Sequence, residues 1–490
     1  MEQAKKGLFG FPKGYPTVLG TEFAERFSYY GMKAILLYYM IGTIGKGGLG
    51  FDNTTAVAIV SMYGALIYMS AVIGGWLADR VFGTARIIIV GGIFILAGHI
   101  VLAIPIGAAG LFASLGLLII GTGMLKPNVS TFVGQSLDDD KDYDFVFSFF
   151  YVAINVASFI APFLVNYLWK HYGFHYGFGL AAIVMGIGLF VFIVGRATSL
   201  KHVETPVPNP IKREEAGKLL GTIAAIVVVV IAFFAITANI HSGAFALFNT
   251  KGYINSALLS NVVAILAVAI SVSYFVRISS SKLITKKERS KVLAFIPIWF
   301  AGVSMWAVQE GAGSIGADFV TKANLHVGGL NLQEAWLQSV NPFVVMIVTA
   351  IMGIIYKLYA DRLPNLFVRY SFGLLIVGGS YFLLMPAVAQ GHGFSALWIF
   401  GSVALTALGE VLISPVTYGV TNRLAPKAFG SQMMALWLLS NSVGQSMNAV
   451  MAPLYTSNPS LYFIIFATVP VVFAVVLFVA RKPLTKLVEG

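Results

Sequence analysis

Residues 22–31 read EFAERFSYYG. Glu22, Glu25, Arg26, Tyr29 and Lys33 recur at i, i+3, i+4, i+7 and i+11, which puts them in one stripe along a single helix, with Tyr30 at its edge. The surrounding residues are apolar over a length that spans a bilayer, so these charges sit at membrane depth. Lys126, Glu310 and Glu410 fall inside other long apolar segments. A charge facing lipid at the bilayer centre costs roughly 2.5–3.5 kcal/mol, so seven would cost on the order of 20 kcal/mol. They must instead meet one another or line a watery cavity. Their formal sum of −1 makes near-complete pairing feasible.

Buried carboxylates beside cations change protonation when their surroundings rearrange, and this can couple a proton gradient to movement without a cofactor. Glu22 and Glu25 beside Arg26, and Glu310 opposite Lys33, are the groups placed to do so. The plainer reading is that the ion pairs only fix helix packing. Buried pairs add little stability compared with apolar packing, so seven such groups in this chain argue against it.

The signs are also segregated. The N-terminal half holds Arg26, Lys33 and Lys126, while the C-terminal half holds only Glu310 and Glu410. A cavity between the halves would be positive on one wall and negative on the other. Its complementary ligand is a zwitterion, with a carboxylate toward Lys33 and Lys126 and an ammonium toward Glu410. Amino acids and short peptides have that form.

The elements that must position these groups are helices. Of the 490 residues, 58% are hydrophobic and 11% charged, and the mean hydropathy is +0.84. Soluble domains carry about 25% charged residues, so an all-α integral membrane protein is expected. There is no cysteine, and so no disulfide or thiol chemistry. Apolar segments of about 20 residues occur near 18–42, 55–78, 87–108, 111–133, 145–168, 176–196, 219–240 and 256–277. Six more lie near 292–314, 336–357, 367–388, 395–419, 430–454 and 461–480. The N-terminus lacks the apolar core and cleavage site of a signal peptide and reads as retained.

With both termini on the cytoplasmic side, 25 Lys and Arg fall on cytoplasmic segments, 4 on external loops and 3 inside spans. This is the positive-inside bias, and it accounts for the formal charge of +12 without a nucleic-acid partner. The acidic run DDDKDYD (138–144) reads as a solvated loop.

Two polar linkers, 198–218 and 279–291, bracket a pair of spans with no embedded charge, an inserted hairpin. Removing it exposes a repeat. Glu22 and Glu310, and Pro127 and Pro415, are each 288 apart; Asn155 and Asn441 are 286 apart, and LADR (77–80) and YADR (359–362) 282 apart. Two six-helix halves follow, at 1–197 and 291–490, with linkers and hairpin at 198–290. Duplicated halves with polar residues between them are a transporter architecture. No phosphate loop, metal-ligand cluster or nucleophile–base pair is evident, so no cofactor, metal or enzymatic role is expected.

EFAERFSYYG resembles the signature of the proton-coupled oligopeptide transporters, a branch of the major facilitator superfamily. GTGMLKPNVSTFVG (121–134) and FSFFYVAINVASFIAP (147–162) are similar to that family's fourth and fifth spans. GGWLADRVFGTAR (74–86) resembles the superfamily's loop motif. The resemblance implies 6 + 2 + 6 helices and import of di- and tripeptides with protons by a monomer in the cell membrane. It implies proton coupling at Glu22, Glu25, Arg26, Lys126 and Glu310. Tyr29, Tyr30, Lys33, Tyr68, Lys126, Asn155, Trp306, Glu310, Asn341, Glu410, Ser414 and Trp437 would hold the peptide. Lys33 with Glu310, and Lys126 with Glu410, would bridge the halves, while Asp79, Arg80 and Arg86 would latch the inward face.

The chain departs from the family pattern at Gln309-Glu310, where Glu-Gln is usual, and at Lys33, where Arg is frequent. His99 reads as a packed polar residue rather than a proton relay. Asp52 and Lys322 are either an external gate or two solvated loop charges. Carriers for nitrate, another small anion or amino acids, and a non-transporting receptor or structural protein, are the alternative readings.

Overall fold

The computed structural model describes residues 14–136, 143–203, 205–207, 210–211, 213–240, 243, 245–247, 255–359, 364–426 and 428–489. The N-terminal peptide, most of the 138–144 acidic run and the ADR of YADR lie outside them.

Fourteen long helices make up the fold among the described residues. The first half comprises α1 (Tyr15–Ile41), α2 (Asn53–Leu77), α3 (Thr84–Ala103), α4 (Ala108–Gln135), α5 (Tyr143–Tyr172) and α6 (Phe174–Ala197). The inserted pair is α7 (Arg213–Ala238) and α8 (Ser256–Ser280). The second half comprises α9 (Lys286–Gly311), α10 (Leu337–Tyr359), α11 (Leu366–Phe382), α12 (Leu397–Leu424), α13 (Gly430–Ser457) and α14 (Pro459–Val479). Eleven segments among the described residues are long and apolar enough to cross a membrane. α1 is not one of them because Glu22, Glu25, Arg26 and Lys33 lie in it, and α13 is rich in Ser, Asn and Gln.

Local chemistry sets the helix ends. Asp52 caps α2 by accepting from the Thr55 amide at 2.9 Å. Gly173, at φ 106°, makes the turn between α5 and α6 in a backbone conformation that side chains disfavour. Thr285 and Glu288 form a reciprocal capping box, so α9 starts at Lys286, within the expected 279–291 linker and ahead of the span expected near 292.

The offsets that suggested a repeat place matched residues on matched helices. Glu22 and Glu310 lie on the first helix of each half, Pro127 and Pro415 on the fourth, and Asn155 and Asn441 on the fifth. The halves meet where α2 packs on α13 and α5 on α10. α8 lies against both α2 and α13, so the inserted pair touches both halves rather than standing apart.

At the loop end opposite the chain termini the halves are joined. Lys170 pairs with Glu334 at 3.2 Å, Phe163 packs on Trp336 at 5.2 Å between ring centroids, and the Ser339 hydroxyl donates to the Phe159 carbonyl at 2.9 Å. Asn53 donates to Asp318, which is 0% exposed and also accepts from the Tyr455 hydroxyl at 2.7 Å.

Candidate functional site

Between the halves lies a cavity of about 170 Å³. α1 supplies Tyr30 and Lys33, α2 Tyr68, α5 Asn155, α9 Trp306 and Glu310, α10 Asn341, and α12 Glu410. These eight belong to the expected substrate set.

Tyr29 lies just behind the wall, edge-on to Tyr30 and stacked on Tyr63. Trp437 is fully buried behind Trp306, at 6.3 Å between ring centroids. It fits there because α9 has Gly302, where a Cβ would overlap the indole. Ser414 is one helical turn from Glu410, with its hydroxyl buried and unpartnered. Lys126 also lies outside the cavity lining, its ammonium 4.2 Å from the Tyr68 ring centroid.

The charges are arranged unevenly. Lys33 reaches across the halves to Glu310 at 2.8 Å, and Asn441 donates to the other Glu310 oxygen at 3.3 Å. Lys126 and Glu410 are not joined, contrary to expectation. Lys126 is held by the Tyr68 π face, which attracts a cation. One oxygen of Glu410 accepts from Gln309 at 2.6 Å and from Asn341 at 2.9 Å. Two neutral amide donors can thus hold Glu410 in place of a cation.

Below the cavity, Arg26 bridges Glu22 at 3.3 Å and also pairs with Glu25. All three are under 5% exposed, and Glu22 Oε2, Glu25 Oε1 and Arg26 Nη2 have no hydrogen-bond partner. With both carboxylates ionised the cluster carries −1, and one proton neutralises it. Tyr29 connects it to the cavity, its ring centroid 5.5 Å from Arg26 and 5.8 Å from Lys33.

Beyond Gly311, α9 loosens into a π-turn over Ala312–Gly316, a distortion frequent at functional sites. Gly313 leaves room there for Lys33: a Cβ on it would lie 2.5 Å from Lys33 Cε, which would have to shift.

At the terminal end, Asp79 and Arg86 are exposed, and Arg80 pairs with Glu215 at the start of α7. Neither Asp79 nor Arg86 forms an ion pair among the described residues, so no Asp79–Arg86 latch is made here. The Asp52–Lys322 gate is likewise not formed. Asp52 is engaged as a helix cap, and Lys322 turns 3.6 Å toward Asp318, one turn away on its own segment. His99 is buried with neither ring nitrogen partnered. Sequence reasoning overlooked Gln309 as a cavity residue and missed Gln338 and Asp318. Asn53, opposite Asp318, was also missed, being an ordinary residue at a helix start.

Two six-helix halves around a cavity lined by polar and charged side chains, with an inserted helix pair, define a transporter of the major facilitator fold. The POT family model (PTR2) matches residues 85–468. The chain is 40% identical over 491 residues to an uncharacterised transporter, YclF, of Bacillus subtilis, covering 99% of this chain and 97% of that one. It is 36% identical over 500 residues to a di-/tripeptide transporter of Lactococcus lactis subsp. cremoris, covering 99% and 98%. A crystal structure of a peptide transporter POT in complex with sulfate superimposes with a TM-score of 0.92 at 41% identity, covering 99% and 98%. The chain belongs to the POT family and is a multi-pass membrane protein.

Proposed function

We propose that the chain is a proton-coupled symporter that imports di- and tripeptides across the cell membrane by alternating access. The observation that carries this reading is the bipolar cavity. Lys33 and the Lys126–Tyr68 pair stand on one side, and Glu410, held by neutral amides, stands on the other. Glu410 can receive a peptide ammonium, while Lys33 and Lys126 attract its carboxylate. Asn155, Asn341 and the unpartnered Trp306 Nε1–H offer polar groups to the backbone between them. The anionic wall disfavours nitrate and other small anions.

A proton bound at Glu22 or Glu25 releases part of Arg26, and the change reaches Lys33 and Glu310 through Tyr29. Loosening the Lys33–Glu310 bridge frees Lys33 for substrate and lets the halves move about their α2–α13 and α5–α10 contacts. Residues 1–197 and 291–490 would be the moving halves, with α8 braced on both. We place both termini in the cytoplasm, because that orientation puts 25 Lys and Arg on the inner side. The bonded end is then external, and a monomer is the working unit.

The test is uptake of labelled dialanine into proteoliposomes with an inward proton gradient and an inside-negative potential. The expected result is concentrative uptake that collapses with a protonophore. Vesicles of folded protein that accumulate no dialanine would overturn the reading and send the search to amino acids and small anions.

A further inference from the structure

Where α2 crosses α13, a glutamine of one half fills a notch in the other. Gln445 on α13 is 2% exposed, and a Cβ built on Gly64 of α2 would overlap its Oε1. Any larger residue at position 64 would expel that side chain. One turn away, the Ser442 hydroxyl donates to the Ala65 carbonyl at 2.8 Å, fixing α13 against the α2 backbone.

From the notch, Gln445 Nε2 donates to Asn441 Oδ1 at 2.7 Å. Asn441 Nδ2 donates in turn to Glu310 Oε1 at 3.3 Å, and the other oxygen of Glu310 accepts from Lys33 at 2.8 Å. A carboxamide has one acceptor end and one donor end. With its oxygen engaged by Gln445, Asn441 must turn its NH₂ to Glu310, the orientation that suits an ionised carboxylate. Rotated, it would set oxygen against oxygen, tolerable only for a protonated acid. The chain therefore runs without a break from the Gly64 notch in one half to the Lys33–Glu310 bridge. Neither Gln445 nor Asn441 lines the cavity, so substrate contact does not explain them.

We infer that Gln445 is a positioning residue that reads the α2–α13 contact and, through Asn441, holds Glu310 in register with Lys33. When Gly64 withdraws as the halves swing, Gln445 leaves its notch, Asn441 is free to rotate, and Glu310 loses a donor. The relay thereby ties the position of one half to the state of the bridge. This inference rests on the symport reading above.

Three variants separate the relay from packing. Gln445→Met keeps the length of the side chain and removes the amide. Gly64→Ala expels the side chain. Gly64→Ala with Gln445→Ala restores the space but leaves no amide. Each is assayed in proteoliposomes for proton-driven dialanine accumulation and for counterflow, which needs no net proton movement. All three are expected to lower driven accumulation about tenfold, the loss of roughly one hydrogen bond to a charged group, while counterflow changes by no more than about twofold. Asn441→Leu should show the same split and add nothing when combined with Gln445→Met, because both break one chain. Full driven uptake in the Gly64→Ala/Gln445→Ala protein would overturn the relay and leave only packing. Equal loss of both activities in that protein would overturn it too. A wild type that accumulates no dialanine would instead defeat the symport reading itself.

Discussion

Asn53→Ala should unlatch the bonded end of the molecule, the external one in the orientation proposed above. Asn53 is the first residue of α2, in one half, and its amide donates to Asp318 at the end of the α9 segment, in the other. Asp318 keeps the Tyr455 hydroxyl at 2.7 Å and Lys322 at 3.6 Å, both from its own half, so its buried charge stays compensated in the variant. The α2 cap is made by Asp52 and is untouched. Only the bond across the halves is lost. A hydrogen bond to a charged group contributes about 1.5–3 kcal/mol net, so the equilibrium should shift toward the outward-open state by about 10- to 150-fold.

The natural sequence has no cysteine, so a single Ile154→Cys reporter on the cavity wall reports without background. Its labelling by a membrane-impermeant maleimide added outside intact cells should accelerate by that factor in Asn53→Ala. An unchanged rate, with the protein present at the surface in normal amount, would refute the assignment of Asn53–Asp318 as a latch.

Glu22→Gln or Glu25→Gln should abolish proton-driven accumulation while sparing some counterflow, and wild-type accumulation in both would remove the proton site from α1. Glu410→Ala should weaken free-amine dipeptides at least about tenfold, as expected for losing a charge-assisted contact, but leave N-acetylated peptides little changed; competition against a labelled dipeptide reads the difference, and equal losses would deny Glu410 the ammonium. Gly313→Ala drives a methyl to within 2.5 Å of Lys33 Cε. It should lower driven uptake by disturbing the Lys33–Glu310 bridge, and unaltered uptake would show that Lys33 can give way freely.

Much of the site was legible because membrane burial makes charge conspicuous. The stripe from Glu22 to Lys33 stands out in an apolar helix, and Glu310 and Glu410 stand out for the same reason. The repeat could be read because its marker residues kept their spacing once the hairpin was removed. What stayed hidden depends on packing. GAGSIG at 311–316 reads as the end of a helix, yet the segment continues as a π-turn over Ala312–Gly316. That misplaced end concealed Asp318. At the other end of α9, KKERSK reads as linker, and the overlooked signal was the Thr285–Glu288 capping box. Opposite charges suggested a Lys126–Glu410 bridge, but nothing in residue types alone shows that a tyrosine ring and two amides lie nearer.

That last difference bears on how the cavity meets a substrate. A Lys126–Glu410 bridge would have to be broken before a peptide could use either charge, and separating a buried ion pair leaves uncompensated charge. Here the two ends are kept apart and stabilised separately. Tyr68 holds a cation without neutralising it, and Gln309 with Asn341 hold a carboxylate without cancelling it. The ammonium of a zwitterion therefore finds Glu410 on the cavity wall uncancelled by a cation. The cost of rearrangement falls instead on the Lys33–Glu310 pair, a bridge between the halves that adjoins the α1 carboxylates through Tyr29. The carboxylate that meets the ammonium, Glu410, is thus kept apart from the Lys33–Glu310 pair that closes the halves. In the symport proposed above, protonation acts on that pair and leaves Glu410 to the peptide.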